Sequence, residues 1–438
     1  MRQNSSKSEQ FGRFFRTKNL ILRLWIFLSI SVLSILISCS HKNSASTAAN
    51  TNGYFYQMFN SFDPRSLLQN LGNNIIPPLF VNLEASRLAL VNATNTFALT
   101  SCSSGNLSVV QAAWIAHKSD LKKVEPFRFG TTLAYFSRMD PFLINYLTLS
   151  PPSSISTVDL TSGLDQLDSF TVGDLSDAQL TIGQMKNLEK GISAIEYLLF
   201  SRPAPNRGTA PTCADFPDVN PYPYPRAFLL QALVLEYSGH VQNVTAAWDE
   251  NGSNPLGTQL ATAGSGTSSA FPSSGAALDA VFAGAVQLLT TMKDGKLEIP
   301  AGLSGGGNGS SSKPDRAESR FSGQSFQNLI DNLSIFKAIY TGNGTGAGLG
   351  DYVKFYSPKL DEEIKEEIAE LEEHLGDITP SLSPSDPSGA WGSSNTANFI
   401  AIKACIKELD ELLIILNTEL AALTGSSPVS GGPGGDGD

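Results

Sequence analysis

The stretch GISAIEYLLF, residues 191–200, decides the fold because it places a carboxylate within an apolar helix. At 3.6 residues per turn, the apolar side chains around it recur at steps of three and four and predict one buried stripe. These side chains are Met185, Leu188, Ile192, Ile195 and Leu199. Glu196 lies at the edge of that stripe, and Glu189 and Ser193 are predicted to share its face. A buried carboxylate must be paired, metal-bound or protonated, so we expect a polar site here.

Helical periodicity recurs along the whole chain, which has 438 residues and a hydrophobic content of 41%. A chain of this length and composition can bury two cores of ordinary size. No alternating pattern is long enough for a strand, so the sequence predicts an all-α fold. The predicted helices span about 75–100, 106–124, 178–200, 226–248, 276–292, 361–375 and 395–423. Ser176 or Asp177 is expected to cap the helix that carries GISAIE.

The N-terminal residues 1–38 are predicted to be a lipoprotein signal peptide. A basic segment precedes the apolar run 24–37, which is too short for a comfortable membrane span. The run closes on Leu36-Ile37-Ser38-Cys39, which resembles a bacterial lipobox and implies acylation of Cys39 after cleavage before it. A short signal anchor is the alternative. Residues 39–72 are rich in Ser, Asn and Thr and are predicted to be a flexible tether to the membrane.

The charge balance of the mature chain restricts its partners. Removal of residues 1–38 takes away six of the 30 basic residues and one of the 41 acidic residues, which leaves a net charge of −16. Nucleic acid and anionic lipid surfaces are poor partners for such a body. Cationic ligands, including metal ions, are better ones. Ser40 after the acylated cysteine favours the outer membrane of the cell envelope over the inner one.

Three cysteines remain after Cys39 is assigned to the lipid. Cys102 and Cys213 fall where helices give way to loops, and export implies an oxidising compartment, so we expect them to form a disulfide. Cys405 lies in an apolar helical pattern and is predicted to be a buried thiol. No cysteine and histidine spacing in the chain is typical of a zinc site.

A helix with a strict apolar seam precedes the GISAIE region. Its inward side chains are predicted to be Leu107, Val110, Trp114, His117, Leu121 and Val124. Such a seam is typical of a helical bundle. In the helix over 226–248, Glu236 and His240 are one turn apart, a spacing that suits a metal ion but more often reflects a hydrogen-bonded pair.

The residues 191–200 resemble the signature of the imelysin-like family, Gly-x-His-x-x-Glu followed by Tyr-Leu-Leu. Gly191, Glu196 and Tyr197-Leu198-Leu199 match that signature, while Ser193 takes the place of the histidine. Residues 112–130 resemble the second motif of the family. The matching positions there are Trp114, Glu125, Phe127, Phe129 and Gly130, with Lys118 in place of an arginine.

A third block, residues 317–353, resembles the C-terminal half of the same family. The matching positions are Glu318, Ser319, Ser322, Ser325, Asn332, Leu333, Tyr340 and Gly342. Ser322 is predicted to cap a helix at its start and Gly342 to end it, while Asn332 and Tyr340 are candidates for lining a cleft.

The resemblance implies two packed up-and-down helical bundles with long loops. We place the N-terminal bundle at 73–250, a Gly/Ser/Thr-rich linker at 251–275 and the C-terminal bundle at 276–423, with a disordered tail at 424–438. Members of the family are described as metallopeptidases or as iron-regulated and iron-uptake proteins of the cell envelope. The family's histidine and glutamate are its expected metal ligands.

Three functions are therefore open. The first is an envelope lipoprotein that binds a metal ion, an iron-containing compound or another small ligand near Glu196. Its candidate ligand-binding residues are Glu196, Ser193, Glu189, Lys118, Glu125 and Trp114, and its candidate metal ligands are Glu196 and His117. The second is a zinc-type hydrolase that uses His117, Glu236 and His240. The third is a degenerate member that serves in protein contacts, with Ser193 and Lys118 as marks of a lost site. No catalytic residue is assigned.

Glu196 also has a purely structural alternative. Its carboxylate could be bonded to Lys118 or to a helix end and so hold the fold together. The cofactor is predicted only as a divalent metal or iron, and the protein partner stays open.

Overall fold

The computed structural model describes residues 62–100, 102–140, 167–168, 170, 172, 174–185, 190–203, 205–216, 225–378, 391 and 396–420. The signal peptide, Cys39, most of the tether, Glu189 and the tail lie outside these residues. All described residues belong to one compact unit, Phe62–Asp438. No strand occurs among them, and the all-α prediction is confirmed.

The helices of the described residues follow in chain order. They are α1 Arg65–Asn70, α2 Ile76–Leu99, α3 Ser104–Val124, α4 Leu133–Met139, α5 Leu175–Gln184, α6 Ile192–Phe200, α7 Pro225–Trp248, α8 Leu256–Ala261, α9 Ser274–Thr290, α10 Ser325–Thr341, α11 Leu349–Tyr356, α12 Pro358–Asp377 and α13 Thr396–Ile414. Wider π-helical turns occur at Leu71–Ile75, Thr291–Glu298 and Ile415–Glu419, and Ile299–Ala301 adds one helical turn. Short 3₁₀ turns lie at Glu125–Phe127, Gly130–Thr132, Cys213–Asp215, Ser304–Gly306, Pro314–Arg316 and Gly342–Gly344.

The long helix α2 packs along both α3 and α7, α5 packs against α7, and α6 packs against α7 and α3. All six side chains of the predicted α3 seam are buried. The helix begins at Ser104, slightly before the predicted start, because Ser103 and Asn106 form a reciprocal capping box. Phe80 of α2 stacks on Trp248 of α7, with ring centroids 4.7 Å apart. The seam and this aromatic pair fix the three helices side by side.

The helical body begins before residue 73, which corrects the predicted boundary of the tether. Residues 65–70 form α1, and Leu67 and Leu68 are buried. Gly72 and Gly257 meet so closely that a Cβ on Gly72 would lie 2.4 Å from the Gly257 carbonyl oxygen. This contact needs glycine on both sides and places α8, part of the predicted linker 251–275, against the start of the body. The division of the chain into two bundles stays a prediction.

The C-terminal helices pack through a separate apolar stripe. Ile364, Ile368, Leu371 and Leu375 of α12 are buried as predicted, and α12 packs along α13. Cys405 of α13 is a buried free thiol. The stretch Ser274–Gly306, which includes α9, is long and apolar enough to cross a membrane, but half of its most apolar window is buried within the protein. That burial is typical of a core helix.

The helix that carries GISAIE is shorter than predicted. The single helix expected over 178–200 is two helices, because α5 ends at Gln184 and α6 begins at Ile192. Met185 is extended, and Gly191 has φ of 83°, which is a left-handed conformation that glycine adopts without strain. The predicted caps Ser176 and Asp177 are wrong, since the Asp174 side chain accepts from the Asp177 backbone N–H at 2.9 Å. Glu189 therefore precedes α6.

Candidate functional site

Glu196 connects the signature helix to the third family block. Its side chain is 2% exposed, and its Oε1 atom accepts hydrogen bonds from the Phe321 N–H, the Ser322 N–H and the Ser322 hydroxyl. These three distances are 2.9, 2.8 and 2.9 Å. The sequence offered Lys118 or a helix end as structural partners of Glu196. The carboxylate is hydrogen-bonded to a backbone turn and not to Lys118. The carboxylate thus fixes residues 321–322 against α6.

The turn that receives Glu196 is held in an unusual backbone conformation. Ser319 has φ of 51°, in the left-handed region that non-glycine residues seldom adopt. Its hydroxyl accepts from the Asn328 side chain at 2.9 Å, and the Ser325 hydroxyl donates to the Glu318 carbonyl oxygen. The prediction that Ser322 caps α10 is wrong, because the helix begins at Ser325 and the Ser322 hydroxyl is bonded to Glu196. Backbone strain that is held in place by surrounding contacts is common at functional sites.

A buried charged cluster lies beside this turn and joins the second and third family blocks. It consists of Lys118, Lys122, Lys296, Glu125, Asp140 and Glu318, all at most 6% exposed. We call these six residues the lysine–carboxylate cluster. Three positive groups face three negative groups, so the cluster is close to neutral. A balance of this kind is what burial of charge requires.

Glu318 is the carboxylate that contacts all three lysines. Its Oε1 atom lies 3.0 Å from the Lys118 ammonium and also pairs with Lys122, and its Oε2 atom lies 3.3 Å from Lys296. Asp140 Oδ2 lies 2.8 Å from Lys118 and 3.0 Å from Lys122. Because Lys118 and Lys122 are on α3 whereas Glu318 and Lys296 come from the second half of the sequence, the cluster joins the two halves.

Glu125 and Asn332 close the cluster at its other end. Glu125 Oε2 accepts from Lys296 at 2.9 Å and from the Asn332 amide at 3.0 Å. Asn332 also donates to the Lys122 carbonyl oxygen at 2.9 Å, and it is fully buried. Asn332 therefore forms hydrogen bonds with residues of the lysine–carboxylate cluster and does not line an open cleft. Tyr340, the other candidate for the cleft, donates to Asp361 at 2.9 Å.

The lysines of the cluster lower the pKa values of its glutamates against the effect of burial. Burial alone would raise the pKa of Glu125, yet Lys122, Lys296 and Arg128 hold it well below its usual range. Burial opposes ionisation of Glu318 too, but the three lysines lower its pKa. Burial lowers the pKa of Lys296, against the pull of Glu125 and Glu318. The carboxylates are thus ionised at neutral pH, and their charges are satisfied by the lysines.

Glu196 differs from these carboxylates in its protonation. Burial raises the pKa of Glu196 to about 7, although the Ser322 N–H and the nearby Lys118 charge favour the ionised form. The residue therefore exchanges a proton near neutral pH. Within the described part of the chain, all of its hydrogen bonds fall on Oε1, and Oε2 has no donor.

Ser193, at the histidine position of the signature, lies one turn before Glu196 on α6 and is 8% exposed. Its hydroxyl has no hydrogen-bond partner among the residues described. Residues three apart on a helix share a face, so Ser193 and Glu196 lie on the same side of α6. Glu189, the third residue predicted for this face, lies outside the described residues.

Trp114 positions the signature helix. Its indole N–H donates to the Ile192 carbonyl oxygen at 3.2 Å, and its ring packs edge-on against Phe200. These contacts use the only polar atom of the Trp114 side chain, and its assignment as a ligand-binding residue stays a prediction. Lys118 and Glu125 likewise pair with other protein groups in the lysine–carboxylate cluster.

His117 is fully buried, and both of its ring nitrogens have protein partners. Nδ1 lies 3.0 Å from the Ser86 hydroxyl and Nε2 lies 2.8 Å from the Tyr237 hydroxyl. Burial lowers the pKa of His117 to about 3, so the ring is neutral. A ring with both nitrogens occupied offers no lone pair to a metal, and the geometry does not support its pairing with Glu196 as a metal site.

Glu236 and His240 form a pair of their own. His240 Nε2 lies 3.2 Å from Glu236 Oε1, and Lys190 lies 3.5 Å from the same oxygen. Where the chain is described, no group of three metal-type ligand atoms includes either residue. The one-turn spacing of Glu236 and His240 thus reflects a hydrogen-bonded pair.

Arg226 is a buried residue of the site that sequence reasoning missed. Its guanidinium donates to the carbonyl oxygens of Leu198 at 3.2 Å and Tyr197 at 3.1 Å, and also to that of Ser201. It thereby satisfies the last carbonyl groups of α6. Lys122, Asp140 and Lys296 were also missed. The available signal for Lys122 was its position one turn after Lys118 on α3.

The Cys102 and Cys213 side chains are joined by a disulfide, with Cα atoms 5.4 Å apart. It links the segment between α2 and α3 to the 3₁₀ turn Cys213–Asp215 that follows α6. The predicted pairing is confirmed, and it ties the loop after the signature helix to the segment that follows α2.

Comparisons with known proteins agree with this architecture. The family model described as Imelysin, of peptidase family M75, matches residues 78–416. A comparison with curated protein sequences finds no match. Among solved structures, an imelysin-like protein from Psychrobacter arcticum is 12% identical with a TM-score of 0.55, and the match covers 84% of this chain and 98% of that one. A protein described as an iron-regulated protein A precursor from Parabacteroides distasonis is 16% identical with a TM-score of 0.52, over 80% and 93% of the two chains. The chain therefore belongs to the imelysin family.

Proposed function

We propose that the mature chain is a lipid-anchored protein of the bacterial cell envelope that binds a cationic ligand at Glu196, with iron as its cargo. The proposal rests chiefly on one observation. Glu196 is buried and anchored through Oε1, while Oε2 has no donor among the described residues. A carboxylate oxygen left in this state attracts a positive charge.

The neighbouring groups give the ligand its chemistry. Ser193 adds a neutral hydroxyl on the same face of α6. Oxygen donors suit hard cations, and the missing histidine removes the imidazole nitrogen, a donor of intermediate softness, that the family signature supplies. The acidic mature body, with its net charge of −16, favours approach of a cation from solution.

Binding is better supported than zinc-dependent hydrolysis. A catalytic zinc needs three protein ligands and an open position for water. The nearest histidine on α3, His117, has both nitrogens bonded to Ser86 and Tyr237. Glu125 and Lys118 are paired within the lysine–carboxylate cluster. The residues that a hydrolase would require are thus engaged elsewhere.

The envelope location rests on the sequence and on one relative. The segment Leu36-Ile37-Ser38-Cys39 resembles a lipobox. Acyl chains contribute about 0.8 kcal/mol per buried methylene, so two or more make a lasting anchor. The structural relative from Parabacteroides distasonis is described as an iron-regulated precursor, which agrees with an exported protein in iron uptake.

The binding proposal is tested by calorimetry with Fe²⁺ under anaerobic conditions on the full chain purified in detergent. Glu196→Gln retains an oxygen for Phe321 and Ser322 but removes the charge, so it separates binding from folding. We expect it to weaken Fe²⁺ binding at least tenfold, while Ser193→His strengthens it. Glu373→Gln, on the exposed face of α12, is the matched control. Unchanged affinity in Glu196→Gln would refute the proposal.

The location is tested separately by cell fractionation. Cys39→Ser removes the thiol that would be acylated, so the protein should no longer partition with outer-membrane material and should lose incorporation of labelled palmitate. Recovery of this variant in the membrane fraction to the same extent as the parent would refute lipid anchoring.

A further inference from the structure

Helix α2 carries a second seam, on the side that faces solvent, in addition to its buried one. The side chains of Val81, Leu88 and Leu99 are 66%, 46% and 78% exposed. Together with three smaller exposed residues they recur at steps of four, three, four, four and three, which is the spacing at which one helix packs against another. We call these six residues the α2 face: Val81, Ala85, Leu88, Asn92, Thr96 and Leu99.

The composition of α2 is typical of a helix that is covered on every side. Of its 24 residues only Glu84 and Arg87 are charged, and these two form an ion pair with each other. A helix that is apolar on opposite sides is usually buried. The stripe that includes Phe80, Leu83 and Leu90 is buried within the body, whereas the α2 face is exposed.

The neighbouring helices extend this surface without adding charge to it. α2 lies between α3 and α7, because Ser86 contacts His117 of α3 at 3.0 Å and Glu84 accepts from Thr245 of α7 at 3.0 Å. Val109 of α3 is another large exposed apolar side chain. Where the structure describes α2, α3 and α7, none of their exposed positions carries a charged residue.

We propose that two copies of the chain associate through the α2 face. This contact is independent of the function proposed for Glu196. A two-fold pair uses the same surface on both copies, so that surface must complement itself. The α2 face meets this requirement, since its apolar side chains can pack on their counterparts and Asn92 and Thr96 each carry both a hydrogen-bond donor and an acceptor.

The charge of the chain favours this surface for contact with a second copy. The formal net charge is −11, so two copies repel each other. Burial of charged side chains between them is avoided only where the meeting surfaces carry none. A membrane is a poorer occupant, because helices that lie on membranes combine large apolar residues with Lys and Arg, and the exposed positions of α2 hold no basic residue.

The size of the surface agrees with a stable dimer. A helix of 24 residues is about 36 Å long. Three helices at axial distances of about 8–10 Å are about 25 Å wide in total. The footprint of about 900 Å² is close to the roughly 800 Å² that each partner typically contributes to a stable interface.

The proposal is tested by light-scattering measurement of the mass of the full chain in detergent, over a range of concentrations. We expect a reversible dimer. Leu88→Asp and Leu88→Lys should each weaken the dimer Kd at least tenfold, because either one buries a charge at the centre of the contact. Ile400→Asp and Ile400→Lys should leave the Kd unchanged, since Ile400 is 62% exposed on α13, outside the α2 face. Thermal melting shows whether each variant is folded.

Ionic strength gives a second readout. Salt screens the repulsion between the two copies, so the Kd should tighten as NaCl rises from about 20 mM to about 500 mM. A Kd that weakens with salt would point to a contact made by ion pairs and would count against the α2 face.

Cross-linking in membranes tests the contact without detergent. Ala85→Cys treated with a short bismaleimide should give a covalent dimer well above the level in the parent chain, whereas Ile400→Cys should not. A monomer at every concentration, an equal Kd in Leu88→Asp and the parent, or no cross-link through Ala85→Cys would overturn the proposal.

Discussion

The Ser322 hydroxyl and backbone N–H both donate to the same oxygen of Glu196, at 2.9 and 2.8 Å. The two residues are 126 positions apart in sequence, so this contact joins the signature helix to the turn before α10. It also divides the Glu196 carboxylate into an anchored oxygen and an oxygen that has no donor among the described residues.

Because Glu196 Oε1 accepts three hydrogen bonds, Ala and Gln at position 196 should lower the free energy of unfolding by different amounts. Glu196→Ala leaves the donors of Phe321 and Ser322 buried without an acceptor and should lower the free energy of unfolding by about 2–4 kcal/mol. Glu196→Gln retains an acceptor and should cost less than about 1.5 kcal/mol. Chemical denaturation measures both values, with Glu373→Ala as the exposed control. Equal costs for Ala and Gln would contradict an anchoring role.

The pH dependence of stability follows from the raised pKa of Glu196, which is about 7 in the folded protein against 4.5 in the unfolded chain. The folded state binds the proton more tightly, so this contribution is fully present below pH 4.5 and is lost as the pH rises through 7. It amounts to at most about 3.5 kcal/mol, at about 1.4 kcal/mol per pKa unit. Denaturation between pH 5 and 8 should show Glu196→Gln to be less pH-dependent than the parent. Parallel curves would contradict the assignment.

His117 should act on stability in the opposite direction. Burial lowers its pKa to about 3 in the folded protein, from 6.5 in the unfolded chain. Its contribution is therefore present above pH 6.5 and is lost as the pH falls toward 3. NMR of the imidazole should show no protonation of His117 down to pH 4.5. Titration of His117 near pH 6.5 would show that the ring is not buried with Ser86 and Tyr237.

The lysine–carboxylate cluster predicts a large cost for removal of one charge. Lys296→Met leaves Glu125 and Glu318 with an uncompensated buried charge and should lower the free energy of unfolding by about 3–5 kcal/mol. Lys293→Met is the matched control, because its main partner Asp410 is half exposed and the pair should contribute less than about 1 kcal/mol. The double variant Lys296→Met/Glu318→Gln should recover part of the loss. Strict additivity would argue against a coupled cluster.

The disulfide should stabilise the loop after the signature helix. Cys102 and Cys213 are 111 positions apart, and closing a loop of about this length contributes about 5 kcal/mol in the chain-entropy model. The double variant Cys102→Ser/Cys213→Ser should therefore unfold at a lower denaturant concentration. If its transition matched that of the oxidised parent, the cross-link would contribute nothing to stability.

Local patterns were sufficient to predict much of the fold. The α3 seam was predictable because six inward side chains repeat at three- and four-residue steps, and all are buried. The break before α6 was not predictable from that criterion. Apolar residues keep the helical spacing across Met185 and Leu188. At Gly191 the backbone is left-handed, and the spacing of apolar residues does not indicate such a conformation.

The site was predictable only where the family resemblance reached it. That resemblance pointed to Glu196 and Glu125 as candidate ligand-binding residues and gave Glu318 as a matching position of its third block. It did not indicate that Lys122 and Lys296 would neutralise them, because lysines on amphipathic helices are usually solvated. Partners such as Lys118 and Glu318 are 200 positions apart in sequence and meet only after the helices pack.

The central claim is that Glu196 binds a cation through Oε2, the oxygen with no donor in the described part of the chain. It is tested most directly by counting protons released on binding. Fe²⁺ should be titrated calorimetrically at pH 7 in buffers of different ionisation enthalpy, under anaerobic conditions. Because the pKa of Glu196 is about 7, the parent should release about half a proton per ion at this site, and Glu196→Gln should lack this component. Proton release that is the same in both proteins would contradict the claim.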